Sequence, residues 1–191
     1  MNKIYNISEL TPFINWLYFY HAWGLSGKPR EDKEKMKQEA LQMLASWEEK
    51  YHTHAIFRLF EVCSEGDDLI FFLSDKKLRF PMLRQQHPSA PGEPNLCLAD
   101  FIRPLSQGIR DQVGVFCTSV DGTIIDEYSH DDYLNMMAQT LSDRLAEATA
   151  EKLHEEVRRD RAYWGYAPDE NLTVEQQHRE EYQGIRPAIG Y

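Results

Sequence analysis

The sequence is poor in cysteine, and the pattern of its three cysteines excludes two common kinds of site. Cys63, Cys97 and Cys117 are odd in number and far apart in a chain of 191 residues. None forms the C-x-x-C spacing that is typical of structural zinc sites and redox motifs. A disulfide framework is therefore not expected, and the composition fits a reducing cytoplasm.

Basic residues are also scarce relative to acidic ones. The chain has 21 Lys and Arg against 31 Asp and Glu, a formal net charge of −10. A general nucleic-acid binder needs clustered Lys and Arg to displace counterions, so we expect no nucleic-acid partner. No apolar run approaches the roughly 18 residues of a membrane span, and no hydrophobic signal segment follows the N-terminus. We expect a cytoplasmic protein with no membrane partner.

The common catalytic motifs are absent as well. The segment 24–29 contains Gly27-Lys28 but has Pro29 where a phosphate loop requires Ser or Thr. The pair His154-Glu155 is not followed by a second His, because position 158 is Arg158, so a zinc-protease motif fails. There is no G-x-S-x-G and no Gly-rich dinucleotide turn. These absences predict no catalytic residue and no metal site from motifs.

Two histidines leave one metal alternative open. His52 and His54 are two residues apart, so on a strand they share a face. A metal site needs at least a third ligand, and none is evident nearby in the sequence.

The composition is that of a folded chain with one core. Hydrophobic residues make up 42% and aromatic residues 12%, and the length suits a single domain over 1–191. Apolar periodicity predicts helices over 8–23, 31–50 and 129–161, and a capping box at Thr173 predicts a short one to about 182. Branched and aromatic runs predict strands over 54–63, 69–74 and 113–120, with Asp121-Gly122 as a hairpin turn into 123–125 and a surface loop over 85–94.

Two predicted helices carry clear apolar stripes. Ser129 is the expected N-cap of the longer one. The residues expected in the core are Met36, Ala40, Met43, Leu44 and Trp47 on the first, and Leu134, Met137, Leu141, Leu145 and Ala148 on the second. Because helices and hairpins do not alternate regularly, we predict an α+β fold with a mainly antiparallel β-sheet flanked by helices.

The C-terminal tail is the segment best suited to a ligand. Arg186 lies among small residues that let the backbone approach a ligand closely, and a planar guanidinium suits a carboxylate. A ligand carrying both a carboxylate and an aromatic ring would fit such a loop. An ordinary irregular tail is the alternative reading of the same residues, which are Gly184, Pro187, Ala188, Gly190 and Tyr191.

The tail and four further stretches match one protein family in order. The segment Arg186-Pro187-Ala188-Ile189-Gly190-Tyr191 fits an RxxxGY motif. The other stretches are Trp16 to Lys28, Cys97-Leu98-Ala99-Asp100-Phe101, His130-Asp131-Asp132-Tyr133 continuing to Arg158, and Tyr163-Trp164-Gly165-Tyr166-Ala167-Pro168 with Glu170-Asn171-Leu172. Over nearly its whole length the chain resembles the activation (reactivation) domain of cobalamin-dependent methionine synthase.

The resemblance implies a role in methionine biosynthesis. The family domain binds S-adenosylmethionine and caps a cobalamin-binding domain when cob(I)alamin has been oxidised to cob(II)alamin. An electron from a flavodoxin-like donor and the sulfonium methyl group then restore the cofactor. The corrinoid, held by a partner domain or a separate corrinoid protein, carries the hard chemistry. The chain would be one component of a methyltransferase, with no complete activity alone.

The resemblance also implies roles for tail residues. Arg186 would bind the carboxylate of S-adenosylmethionine, and the backbone at Ala188 would contact the adenine end. Gly190 would permit the close approach, and Tyr191 would lie beside the ligand where the cobalamin docks.

Two glutamates match acidic positions that line the family site. Glu147 on the long helix and Glu180 before the tail would accept ribose hydroxyls or hold the cationic end of the ligand. A solvated helix face is the alternative for both.

Several positions depart from the family pattern. Asn15 stands where the family has an aspartate that meets the ligand's ammonium group, and an amide brings no charge. Ile189 replaces the usual proline, and the second helical region is shorter. The family domain continues well past RxxxGY whereas this sequence stops at Tyr191, which leaves open a truncation at the C-terminal end.

Three functions fit these residues. One is an activation module that works with a corrinoid partner. Another is a non-catalytic S-adenosylmethionine-binding or regulatory module that interacts with a corrinoid protein. The last is a structural remnant without a ligand, which the joint presence of Arg186, Gly190, Tyr191, Glu147 and Glu180 disfavours.

Asn15→Asp should tighten S-adenosylmethionine binding. A charge-assisted hydrogen bond is stronger than a neutral one, so we expect about 5–30-fold higher affinity in calorimetric titration. An unchanged Kd would show that residue 15 does not meet the ammonium group.

Overall fold

The computed structural model describes residues 1–88 and 90–160, together with the four positions 173, 174, 176 and 179. The chain divides into two compact units. The strand unit comprises Met1 and Phe57–Phe116, and the helical unit comprises Asn2–Ile56 and the described residues from Cys117 onward. After Asn2, the chain passes from one unit to the other within two strands, β2 (His52–Glu65) and β5 (Asp111–Val120). One domain over 1–191 stays a prediction.

The helical unit begins with β1 (Asn2–Asn6), which pairs antiparallel with β2 so that Asn2 lies opposite Ile56 and Asn6 opposite His52. Up to residue 160, its helices are α1 (Ile7–Leu10), a 3-10 turn (Thr11–Phe13), α2 (Trp16–Ala22), α3 (Arg30–Trp47), α4 (Thr123–Glu127) and α5 (Asp132–Asp160).

The strand unit contains two antiparallel hairpins. β2 pairs with β3 (Asp68–Phe72), and β3 pairs with β4 (Lys77–Pro81). Gly66 occupies the left-handed region at φ +61° in the tight turn after β2, where a side chain would be strained. Two 3-10 turns, Leu98–Phe101 and Leu105–Gln107, precede β5, which pairs with β2. The predicted α+β class with an antiparallel sheet and helices is confirmed.

Arg84 organises the irregular segment that follows β4. Its guanidinium donates to both carboxylate oxygens of Asp100 at 2.7 and 2.8 Å and to Asp67 at 2.7 Å. The hydrogen bonds from Arg84 lower the pKa of Asp100 to about 2. Apart from residue 89, the predicted loop over 85–94 forms neither helix nor strand, as expected.

The core of the helical unit lies along α5. Met137, Leu141, Leu145 and Ala148 are buried at the predicted 3–4 spacing, while Leu134 is half-buried. On α3, Ala40, Leu44 and Trp47 are buried, and Met36 and Met43 are only half-buried.

The prediction of one helix over 8–23 was wrong. Ile14 and Asn15 are extended (ψ 123° and 91°), so the helical conformation ends after the 3-10 turn and begins again at α2. Pro12 has no N–H to donate within a continuous helix, and the extended backbone at Ile14 places its side chain in the core.

Two predictions near α5 were also wrong. Residues 123–125 belong to α4 rather than to a strand, because Gly122 is right-handed (φ −68°, ψ −19°) and cannot form the mirror-image hairpin turn. The side chain that caps α5 is that of Asp131, whose Oδ1 accepts the N–H of Leu134 at 2.9 Å. Ser129 Oγ instead donates to Asp126 O.

Leu141→Ala should destabilise the protein strongly. Leu141 is 0% exposed, so truncation leaves a cavity and should lower the free energy of unfolding by about 2–5 kcal/mol in urea titration. Met136→Ala is the control on the same helix, because Met136 is 46% exposed and its truncation should cost less than about 0.5 kcal/mol. Equal losses in the two variants would contradict the assignment of the buried stripe.

Candidate functional site

The predicted site residues fall into two groups. Arg186, Ala188, Gly190, Tyr191 and Glu180 lie outside the described residues. Asn15 and Glu147 lie within them, in the helical unit, and their surroundings can be described atom by atom.

Asn15 is the N-cap of α2. Its Oδ1 accepts the backbone N–H of Leu17 at 3.2 Å, and its own backbone is extended. A side-chain oxygen at this position satisfies one of the donors that every helix leaves unpaired. Because an amide oxygen has two acceptor sites, Asn15 can still receive a second hydrogen bond from a ligand.

Aromatic packing fixes α2 in place. Phe19 is fully buried, and rings surround it at centroid distances of 5.4 Å (Trp16), 6.0 Å (Tyr20) and 6.3 Å (Trp23). The opposite side of the helix is open, since Leu17 is 71% and Tyr18 58% exposed. The buried Phe19 thus anchors a helix whose first turn faces outward.

Glu147 lies on the half-exposed flank of α5. Its Oε2 accepts a hydrogen bond from Nη1 of Arg144, one turn earlier, at 2.6 Å. The Arg144 and Glu147 side chains are 17% and 30% exposed. Within the described residues, no hydrogen bond to Oε1 of Glu147 is present, so that oxygen can accept a donor from a ligand.

Arg144 also links α5 to α2. Its guanidinium carbon lies 5.8 Å from the ring centroid of Tyr18, a cation–π distance. Asn15 and Tyr18 are therefore on one helix, and Arg144 and Glu147 on the helix packed against it. The structure brings the two described candidates onto neighbouring elements. Sequence reasoning missed Tyr18 and Arg144, although the i, i+3 spacing of Arg144 and Glu147 was a readable signal.

Trp16 also lines a groove. It has a volume of about 850 Å³ and is lined mainly by apolar groups of α1, the following turn and α3, among them Leu41 and Leu44. Lys37 Nζ lies 4.9 Å above the Trp16 ring.

His52 and His54 both form hydrogen bonds with Asp121. The carboxylate of Asp121 accepts the backbone N–H of His52 at 2.9 Å and lies 2.8 Å from Nε2 of His54. Burial raises the pKa of Asp121, but these hydrogen bonds outweigh burial and the net pKa is lowered. Within residues 1–88, 90–160 and the four later positions, no group of three His, Cys, Asp or Glu is placed to hold a metal ion.

In the part of the chain that the structure describes, no helix is both long and apolar enough to cross a membrane.

A family model described as "Vitamin B12 dependent methionine synthase, activation domain" matches residues 6–191. The chain belongs to this family. The predicted resemblance is confirmed, and the match includes the tail that carries Arg186.

The activation domain is also similar to a solved structure described as the MetH reactivation domain bound to AdoHcy. The two are 35% identical with a TM-score of 0.85, and the match covers 100% of this chain. The chain spans 64% of the length of that chain, just under two thirds.

The capping role of Asn15 in this activation domain is testable by stability. Asn15→Ala removes the acceptor for Leu17 N–H and should lower the free energy of unfolding by about 0.5–2 kcal/mol in urea titration. Asn15→Asp retains the acceptor and should stay within about 0.5 kcal/mol of the wild type. Equal stability of the Ala variant would mean that the cap contributes nothing.

Proposed function

We propose that this activation domain binds S-adenosylmethionine and supports the reductive remethylation of cob(II)alamin in the cytoplasm. The carrying observation is the 35% identical reactivation domain, similar over the whole of this chain, which binds AdoHcy. AdoHcy is what remains of S-adenosylmethionine when its methyl group has been transferred, so one site can hold both.

The described residues fit such a ligand. The ammonium group needs oxygen acceptors, and Asn15 Oδ1 can offer one without releasing Leu17 N–H. Ribose hydroxyls are neutral donors, which suits the charge-compensated carboxylate of Glu147. In the proposal Arg186 binds the ligand's carboxylate, and Ala188, Gly190, Tyr191 and Glu180 complete the site.

The contribution of the chain is orientation. The sulfonium methyl group must point at a metal held elsewhere, and fixing both ends of the ligand makes that approach effectively intramolecular. The cobalamin, on a partner domain or corrinoid protein, would supply the cobalt that receives the methyl group, with one electron from a flavodoxin-like donor. The chain itself would bind, orient and present the methyl donor.

A second function is supported by one residue. Asn15 stands where a charged acceptor is expected, and it brings no charge to the ammonium group. A non-catalytic module that binds S-adenosylmethionine and regulates a corrinoid protein would need binding but not methyl transfer.

Calorimetric titration with S-adenosylmethionine is the test of the site. We expect saturable 1:1 binding that weakens at least about tenfold in Arg186→Ala, because the variant loses a charge-assisted hydrogen bond. Arg103→Ala is the control, since Arg103 is an exposed arginine of the strand unit paired with Asp111. Absence of binding at millimolar ligand would refute the proposal.

A methylation assay separates the two functions. The chain is mixed with a cobalamin-binding domain in the cob(II)alamin state, a reductant and S-adenosylmethionine labelled on the methyl group. Label transfer that depends on the chain supports the activation function. Ligand binding without label transfer supports the regulatory module.

A further inference from the structure

Two contacts constrain the side chain of Arg144, the partner of Glu147. It donates to Glu147 at 2.6 Å and lies over the Tyr18 ring, and its side chain is only 17% exposed. A guanidinium that two partners already hold in one geometry loses less conformational entropy when a ligand binds than a free one does. The position of Arg144 is therefore fixed by α2 and α5 together.

The pair changes what Glu147 offers to a ligand. A lone carboxylate would attract any cation, whereas an ion pair has no net charge and keeps mainly its hydrogen-bonding capacity. S-adenosylmethionine has a net charge of +1 at neutral pH, because its sulfonium and ammonium groups outweigh one carboxylate. AdoHcy has no sulfonium charge and is neutral overall. An uncompensated charge at Glu147 would therefore change the affinity for S-adenosylmethionine more than the affinity for AdoHcy.

We propose that Arg144 is a specificity-determining residue, which sets the preference of this site between S-adenosylmethionine and AdoHcy by cancelling the charge of Glu147. The inference rests on the proposed function. When the charge of Glu147 is cancelled, the affinity of the site depends more on the groups that the two ligands share than on the sulfonium charge that distinguishes them. The paired Glu147 therefore discriminates less between AdoHcy and S-adenosylmethionine than an unpaired carboxylate would.

The test is the ratio of two affinities in matched variants. The Kd values of S-adenosylmethionine and AdoHcy are measured by calorimetry for the wild type, Arg144→Met, Glu147→Gln and the double variant. Arg144→Met keeps an unbranched apolar stem but leaves Glu147 uncompensated, so we expect about a 3–10-fold rise in preference for S-adenosylmethionine. Glu147→Gln leaves Arg144 uncompensated, so the preference should fall. The double variant should return close to the wild-type ratio, and added salt should shrink both shifts.

The chain contains a matched control on the same helix. Lys152 and Glu155 form an i, i+3 pair at 3.5 Å with side chains 23% and 30% exposed, and Lys152 Nζ lies 5.2 Å from the Phe13 ring centroid. This pair begins eight residues after Arg144, about 12 Å further along the helix axis. Lys152→Met should leave the affinity ratio unchanged.

The outcomes separate this inference from the proposed function. Failure of the wild type to bind either ligand overturns the proposed function. If the wild type binds, equal changes for both ligands in Arg144→Met, or the same ratio shift in Lys152→Met, overturn the role of Arg144. Should Arg144→Met fail to fold by circular dichroism, Glu147→Gln decides alone, because an unchanged ratio in that variant also overturns the inference.

Discussion

The burial of one face of α5 is the constraint on which the helical unit depends. Its stripe from Met137 to Ala148 is removed from water, and α1, α2, α3 and α4 all pack against this helix. Burying such side chains is the main favourable term in folding, at about 1.5–3 kcal/mol for each large one. The same helix presents Glu147 on its flank, so the placement of a candidate ligand residue follows from the placement of the core. A change that loosens the stripe would shift both together.

Electrostatic pairing supplies the second level of organisation. The chain carries a net charge of −10, yet the carboxylates that matter for local structure have partners. Asp100 and Asp67 hold Arg84, Asp121 takes the N–H of His52, and Glu147 takes Arg144. Exposed pairs of this kind contribute little to stability. Their effect is to fix side-chain geometry, which is what a binding site requires.

The sequence predicted the features that depend on long periodic patterns. The apolar stripe of α5 repeats over many turns, so its helix and most of its buried face were readable, and hairpin chemistry predicted the antiparallel sheet. Pro12 was a readable signal of the break before α2, whereas the burial of Ile14 in a tertiary core was not readable. The same holds for α4, where Asp121 is engaged by His52 and His54 rather than by a hairpin turn.

The candidate site also has a part that the sequence predicted and a part that it did not. Family resemblance predicted which residues would meet a ligand, but no periodicity could place Tyr18 over Arg144, since that contact joins residues 126 positions apart in sequence. Only folding packs α2, which Asn15 caps, against α5, which carries Glu147.

Asn15 shows how a helix cap could change its charge without leaving a trace in the fold. Asn and Asp cap helices about equally well, so exchanging them at the start of α2 leaves folding and abundance nearly untouched. Selection that acts on a stable fold therefore cannot distinguish the two residues at this position. Any pressure that distinguishes them must act on something other than the stability of the fold.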